Sequence, residues 1–124
     1  MDITPAVPDG RQLVDSYGPG RFKIRGQAYE GPVIVFPNRV LSWDVAHIDD
    51  LTLDAVAAIR DADPSIEILL LGTGIRMAMP PGGLRRELRE KGIGVDLMDT
   101  GAACRTFNIL MTEGRLAAAA LIPV

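Results

Sequence analysis

In the first third of the chain, apolar and polar positions alternate with the period of two that is typical of half-buried β-strands. Phe22 to Arg25 alternates apolar and charged side chains, Gly26-Gln27 follows as a hairpin tip, and Ala28 to Glu30 returns. Residues 16–20 (Ser-Tyr-Gly-Pro-Gly) predict a turn, because glycine permits positive φ and proline fixes its own φ. Val33 to Phe36 is continuously β-branched or aromatic, which indicates a strand covered on both faces. The pattern therefore predicts an N-terminal antiparallel hairpin.

From Val40 onward, short apolar runs alternate with helical periodicity. We expect four strands, at Val40–Val45, Glu67–Leu71, Val95–Leu97 and Leu116–Ile122. We expect three helices, at Leu51–Ala62 behind a cap at Asp49 or Asp50, from Pro80-Pro81 to Lys91, and at Gly101–Glu113 behind Asp99-Thr100. Such alternation implies right-handed crossovers and a largely parallel sheet. Together with the hairpin, it predicts a layered α/β fold with a mixed sheet, whose strand order the pattern does not specify.

Composition restricts the class of protein. With 124 residues and 48% hydrophobic content, we expect a single domain over residues 1–124, with residues 1–10 as a flexible tail. One cysteine excludes an intrachain disulfide, and one histidine excludes the usual His-rich zinc sites, so we expect neither a metal nor a cofactor. The net charge of −3 makes general nucleic-acid binding a poor expectation.

The N-terminus and the apolar runs bear on location. Residues 1–15 contain three aspartates and no continuous apolar run, unlike a secretory signal or an Arg-rich transit peptide. The longest apolar stretch, Leu116 to Pro123, is far shorter than the ~20 residues that a membrane span needs. We therefore expect a soluble protein of a reducing, cytoplasmic compartment with no membrane span.

Candidate chemistry is expected at the carboxyl ends of the predicted parallel strands, where ligands gather in open α/β sheets. One loop, Gly72-Thr73-Gly74, follows the strand that ends at Leu71, and a second, Met98 to Arg105, follows the strand that ends at Leu97. If these strands are neighbours, Thr73, Asp99, Thr100 and Arg105 converge on one cleft. The candidate ligand-binding residues are Gly72, Thr73, Gly74, Asp99, Thr100, Cys104, Arg105 and Asn108.

Each candidate residue also has a purely structural interpretation. The glycine loop suits a bound anion or a sharp turn, and it matches neither the Walker A nor the Rossmann pattern. Asp99 and Thr100 are adequate helix caps. Cys104 is either a thiol activated by the helix N-terminus and Arg105 or a buried, inert side chain. Asn108 binds either a ligand or a neighbouring loop backbone. We assign no catalytic residue and no metal ligand.

Several motifs together resemble one family. They are Gly18-Pro19-Gly20 before Phe22, Leu71 to Gly74, and Met98-Asp99-Thr100-Gly101-Ala102-Ala103-Cys104-Arg105-Thr106-Phe107-Asn108 followed by Glu113-Gly114-Arg115. The chain resembles, from about Leu13 onward, the small-domain family that includes the mitochondrial complex I assembly factor 3 and many uncharacterised bacterial proteins. Phe107 stands where a tyrosine is expected in that family, so a phenolic hydroxyl is not essential at this place.

The resemblance implies a three-layer α/β/α domain with a mixed central sheet, and it carries over no catalytic residue. Mitochondrial members act with partner proteins in assembling NADH:ubiquinone oxidoreductase, and this chain is similar to the bacterial members. We therefore expect a non-enzymatic protein-interaction or assembly factor with protein partners, whose self-association stays open. The alternative is a small-molecule or anion-binding protein, or a cryptic enzyme, that uses the loops at Gly72–Gly74 and Asp99–Asn108.

Overall fold

The continuous apolar runs form a five-stranded mixed sheet in the computed structural model, which describes residues 10–124. Its strands are β4 (Val33–Val35), β5 (Val40–Ser42), β6 (Ile68–Gly72), β7 (Gly94–Met98) and β8 (Ala117–Leu121). The strand order is β5-β4-β8-β6-β7. β7, β6 and β8 are mutually parallel, whereas β4 runs antiparallel to both β8 and β5. All residues of β4 and β8 are buried, as expected for strands covered on both faces.

The N-terminal strands form a second, antiparallel sheet of three strands. These are β1 (Val14–Gly18), β2 (Arg21–Ile24) and β3 (Gln27–Glu30). The predicted hairpin is confirmed, but its tip is Arg25-Gly26, one residue earlier than expected, because Gln27 already pairs with Ile24. Both φ angles at the tip are positive, as in a type I′ turn. The prediction of a turn over residues 16–20 is wrong in its first half, because the chain stays extended to Gly18 and pairs with β2. The expected tail, residues 1–10, lies outside the described residues except for Gly10.

The three helices differ in how well their sequences predicted them. Helix α3 (Thr100–Thr112) is confirmed, and α2 (Leu84–Glu90) begins later than expected, because Gly82 has a positive φ of 69°. The expected helix at Leu51–Ala62 is wrong. That segment is a short 3₁₀ turn followed by the single-turn helix α1 (Ala57–Arg60). Neither Asp49 nor Asp50 caps a helix, since both lie within another 3₁₀ turn.

A tertiary contact accounts for the broken helix. The indole N–H of Trp43 donates to the carbonyl of Ala55 at 2.7 Å, and Leu51 and Val56 are buried against the sheet. In a 3₁₀ turn, side chains three residues apart lie on one line. A short 3₁₀ turn therefore suits this small buried contact better than a long amphipathic helix does. Local propensity is a weak term beside such burial.

The fold has three layers, which confirms the α/β/α expectation. On one face of the five-stranded sheet, α1 and α2 enclose a core that includes Trp43, Ile59 and Leu88. On the other face, α3 and the three-stranded sheet share a core that includes Phe22 and Phe107. The loops that follow β6, β7 and β8 therefore meet at one edge of the sheet, between the two outer layers.

Candidate functional site

Thr100 joins the three chain segments that leave the parallel strands. Its hydroxyl accepts a hydrogen bond from the Gly74 N–H at 2.9 Å and donates to the carbonyl of Ile122 at 2.5 Å. The side chain is fully buried. The hydroxyl thus acts as both donor and acceptor within the protein. Thr100 thereby holds the three segments together at this edge of the sheet, and we call it a structural clamp.

Thr73 shapes the loop that follows β6. Its hydroxyl donates to the carbonyl of Arg76 at 2.7 Å and accepts from the N–H of Ala78 at 3.0 Å. These two bonds hold residues 74–78 in an ordered conformation beside the sheet. Thr73 is itself buried, so its hydroxyl serves the loop backbone.

Gly72 and Gly74 are needed for different reasons. A Cβ at Gly72 would lie 3.0 Å from the Leu121 side chain and 3.1 Å from the Cα of Thr100, so the absence of a side chain lets α3 approach β6. Gly74 has a φ of +106°, which favours glycine. The close approach and the sharp turn are both structural requirements for glycine in this loop.

Asp99 caps α3. Its carboxylate accepts a hydrogen bond from the Ala102 N–H at 2.9 Å, and its own backbone is extended, as is usual for an N-cap residue. A carboxylate at this place also interacts favourably with the positive end of the helix dipole. The predicted boundary of α3 therefore rests on the predicted residue.

Cys104 is buried on the inner side of α3. Only 3% of its surface is exposed, and it packs in the core that contains Phe107 and Met111. Burial raises the pKa of the Cys104 thiol from 9.0 to about 12, and the opposing influence of the Arg105 charge is smaller. Since the thiolate is the reactive form, burial and the raised pKa both disfavour reaction of Cys104 at neutral pH. His47 lines a pocket that does not include Cys104.

Asn108 fastens the three-stranded sheet to α3. Its amide oxygen accepts from the Val14 N–H at 2.8 Å, and its amide nitrogen donates to the Val14 carbonyl at 2.8 Å. This paired contact replaces the hydrogen bonds that a neighbouring strand would otherwise supply. Of the two interpretations of Asn108, binding to a neighbouring backbone is the one that the geometry shows.

The eight candidate residues are divided between different surfaces. Cys104, Arg105 and Asn108 line a depression of about 320 Å³ together with Val14 to Tyr17, which we call the helix pocket. Thr73 and Gly74 line a separate depression of about 290 Å³, which we call the edge pocket. Gly72, Asp99 and Thr100 line neither of them. The loops after β6 and β7 are adjacent, as the bond between the Gly74 N–H and the Thr100 hydroxyl shows, and the two depressions contain different members of the candidate set.

The helix pocket contains a cation that has no partner in the described part of the chain. The Arg105 guanidinium is exposed and makes no hydrogen bond or ion pair within residues 10–124. Beside it, the hydroxyl of Tyr17 lies over the first turn of α3, in the space that a Cβ on Gly101 would fill. Arg105 Nη1 lies 3.3 Å from that same point. Tyr17 was missed by sequence reasoning because it was assigned to a turn.

The edge pocket brings together residues that sequence reasoning placed in unrelated segments. His47, Ile48 and Asp49 come from the chain between β5 and α1, and Ile75 comes from the loop after β6. Ile122, which directly follows β8, also lines the pocket. One pattern in the sequence could have drawn attention to this place, namely the apolar residues in a segment bounded by glycine and proline.

That segment is the most apolar exposed feature of the described chain. Ile75, Met77 and Met79 are 77%, 57% and 58% exposed. We call residues 74–83 the exposed apolar loop. Isolated exposed apolar residues are ordinary, but three in one ordered loop are informative.

Metal sites and membrane-spanning helices are both absent from the described part of the chain. Within residues 10–124, no group of three His, Cys, Asp or Glu side chains could hold a metal ion. None of the described helices combines the length and apolar character required to cross a bilayer.

The fold and these shallow pockets define a small three-layer α/β protein that combines a mixed sheet with a separate antiparallel one. The model of a family of proteins of unknown function, DUF498/DUF598, matches residues 14–122. The chain belongs to this family, which confirms the resemblance drawn from its motifs.

Relatives of this chain include both named and uncharacterised proteins. It is 41% identical over 111 residues to the zebrafish (Danio rerio) protein named NADH dehydrogenase (ubiquinone) 1 alpha subcomplex assembly factor 3. The matched region covers 90% of this chain and 64% of that protein. The chain thus spans less than two thirds of that relative. It is 36% identical over 115 residues to an uncharacterised Rhodobacter capsulatus protein, covering 93% and 87% of the two chains.

A solved structure shares the fold. The crystal structure of a Bordetella parapertussis protein superposes with a TM-score of 0.84 at 36% identity, covering 94% of this chain and 100% of that one. At that similarity, the order and packing of the layers are common to both proteins.

Proposed function

We propose that this chain is a protein-interaction factor that assists the assembly of a multi-subunit complex and binds a partner protein through its exposed apolar loop. The observation that carries the proposal is the exposure of Ile75, Met77 and Met79 together. The relatives named as assembly factors support the same class of function.

The loop has two properties that suit partner binding. Thr73 holds the first half of the loop through bonds to the backbone of Arg76 and Ala78, so little backbone entropy is lost there when a partner docks. Methionine side chains are flexible and polarisable, which allows them to adapt to an irregular apolar surface. Burying these side chains against a partner would contribute on the order of 1.5–3 kcal/mol each.

Co-purification with matched variants tests this proposal. The tagged protein is recovered from its native host with a photo-crosslinker at Arg76, and the captured proteins are identified. The variant Ile75→Gln/Met77→Gln/Met79→Gln is expected to lose a specific partner by at least about tenfold. Ile109→Gln is the matched control, since Ile109 is 57% exposed on α3. Capture of the same proteins by the loop variant, or of none by wild type, would contradict the proposal.

A second candidate function is small-molecule binding in the helix pocket. The Arg105 guanidinium, which has no partner among residues 10–124, and the nearby Tyr17 hydroxyl favour a carboxylate or phosphate group there. Cys104 and Asn108 then act as packing and anchoring residues of the same wall. This site is smaller than the eight-residue site expected from the sequence.

A thermal-shift screen with phosphorylated and carboxylated metabolites tests the second candidate. A ligand at 100 times its Kd stabilises by about 2.7 kcal/mol, which is readily measured as a rise in Tm. The rise should disappear in Arg105→Ala and persist in Arg85→Ala, which removes an exposed arginine of α2. If no compound in the panel raises Tm, this second function is wrong.

A further inference from the structure

The chain beside the edge pocket is strongly acidic. We call residues 44–54 the acidic segment, which contains four aspartates and no lysine or arginine. Asp44, Asp49 and Asp50 are exposed, and their carboxylates accept no hydrogen bond and form no ion pair within residues 10–124. Asp54 differs, because its charge acts on the nearby Arg60. Three carboxylates of this segment are therefore available to a partner.

The edge pocket connects the acidic segment with the exposed apolar loop. Ile48 and Asp49 line it from one side, Gly74 and Ile75 line it from the other, and Ile122 follows β8 between them. Its volume of about 290 Å³ admits an aliphatic side chain of a docked segment. An apolar anchor placed here would have a carboxylate of Asp49 at its margin.

The other flank of the exposed apolar loop has the opposite charge. Beyond Gly82 and Gly83, α2 begins with Leu84 followed by Arg85 and Arg86, both of which are exposed. The two flanks are thus distinguishable to a partner, and like charges placed opposite either flank would be unfavourable. Negative charge marks the flank that adjoins the edge pocket.

We infer that the exposed apolar loop and the edge pocket receive an amphipathic segment of a partner protein, whose basic side chains meet Asp49 and Asp50. The inference rests on the proposed function and adds the chemistry of the partner to it. Apolar side chains of the segment contact Ile75 and Met77, and lysine or arginine side chains face the acidic segment. An acidic segment of equal hydrophobicity is disfavoured beside Asp49 and Asp50, and Arg76, an exposed cation within the loop, is a group near the edge pocket that opposes this preference.

Fluorescence anisotropy with defined peptides tests the inference. Three sets of labelled peptides of about 15 residues carry Leu, Met or Phe at helical spacing, and the same apolar arrangements are used in every set. The polar positions are all Lys in the first set, all Gln in the second and all Glu in the third. At an ionic strength of about 50 mM, the Lys set should bind at least fivefold tighter than the Gln set, as expected for two exposed ion pairs. The Glu set should bind most weakly.

Two charge variants decide whether the acidic segment is responsible. Asp49→Asn/Asp50→Asn should reduce the preference for Lys peptides to near one, measured as the ratio of the Lys and Gln affinities of the same variant. Glu90→Gln/Glu113→Gln removes the same charge at the ends of α2 and α3, close to the opposite edge of the sheet, and should retain the preference. Ile75→Ser/Met77→Ser should weaken binding of every set.

The outcomes separate the inference from the proposed function. Equal binding of the Lys and Gln sets through the loop would overturn the inference and leave the proposed function standing. A preference lost equally in both charge variants would also overturn it, because it would then report net charge alone. Absence of binding by all three sets overturns it as well. Binding that survives Ile75→Ser/Met77→Ser, together with partner capture that survives the loop variant, would overturn the proposed function.

Discussion

Substitution of Asn108 by alanine should loosen the three-stranded sheet from α3. The amide makes two hydrogen bonds of 2.8 Å to the backbone of Val14, a residue that is itself buried. Each such bond contributes about 1 kcal/mol, and the Val14 N–H and C=O would be left without a protein partner. We expect the free energy of unfolding to fall by about 2 kcal/mol, with a decrease in Tm of roughly 8 °C for a protein of this size.

Urea unfolding and amide hydrogen exchange measure the global and local parts of this effect. Amide exchange should accelerate most in β1 and β2, because β1 loses its attachment to α3. Amides of β6 and β8 should accelerate only as far as the fall in the free energy of global unfolding requires. Asn108→Asp keeps the acceptor but places an oxygen opposite the Val14 carbonyl, so it should destabilise as well. Ile109→Ala alters the neighbouring exposed side chain and should change stability by no more than about 0.5 kcal/mol.

A stability of Asn108→Ala within about 0.5 kcal/mol of wild type would refute the assigned role of the amide. So would a loss of stability without any selective change in the exchange of β1. In that case the shared core around Phe22 and Phe107 alone would hold the small sheet in place.

Three further predictions concern the edge of the sheet and the single cysteine. Gly72→Ala should destabilise by about 1–3 kcal/mol in urea unfolding, because its Cβ would crowd Leu121 and Thr100, whereas Gly94→Ala, with 3.8 Å to its nearest neighbour, should be close to neutral. Thr100→Val should cost about 2–4 kcal/mol in the same assay, since it leaves the Gly74 N–H and the Ile122 carbonyl without their partner, and a smaller loss would argue against the clamp. The pKa of Cys104 is about 12 in the folded protein against an ordinary value of 9.0, so the unfolded chain loses the thiol proton first as pH rises. The free energy of unfolding is therefore unaffected by this group below pH 9 and falls between pH 9 and pH 12. Wild type should therefore lose about 1.4 kcal/mol more than Cys104→Ala between pH 8 and pH 10, and native Cys104 should resist alkylation at pH 8; rapid labelling would contradict its burial.

Local patterns predicted the elements that depend on few partners. Helix α3 follows from a cap at Asp99 and an apolar stripe that contains Phe107 and Met111, and β6 follows from an apolar run ending in glycine. The segment at Leu51–Ala62 failed because the Trp43–Ala55 bond and local burial, which are tertiary, decide its geometry. Propensity cannot anticipate a partner that lies outside the window it considers.

The candidate site shows the same division. Parallel neighbours made the loops after β6 and β7 adjacent, as expected, but adjacency alone did not specify which side chains line the helix pocket and which line the edge pocket. The contact between Asn108 and Val14 joins residues 94 positions apart, and the edge pocket joins His47 to Ile75 across β6 and β8. Such long-range pairings follow from strand order, which no local pattern specifies.

The central position of β8 has a consequence for biosynthesis. β4 and β6 each pair with β8 on their inner side, so both inner edges stay open until residues 117–121 have been made. Once residues 33–72 of a nascent chain have left the ribosome, β4 and β6 each expose a strand edge whose backbone hydrogen bonds are unpaired. Such edges promote aggregation or recruit a chaperone. Closure of the sheet is therefore a long-range event that follows the synthesis of every other strand.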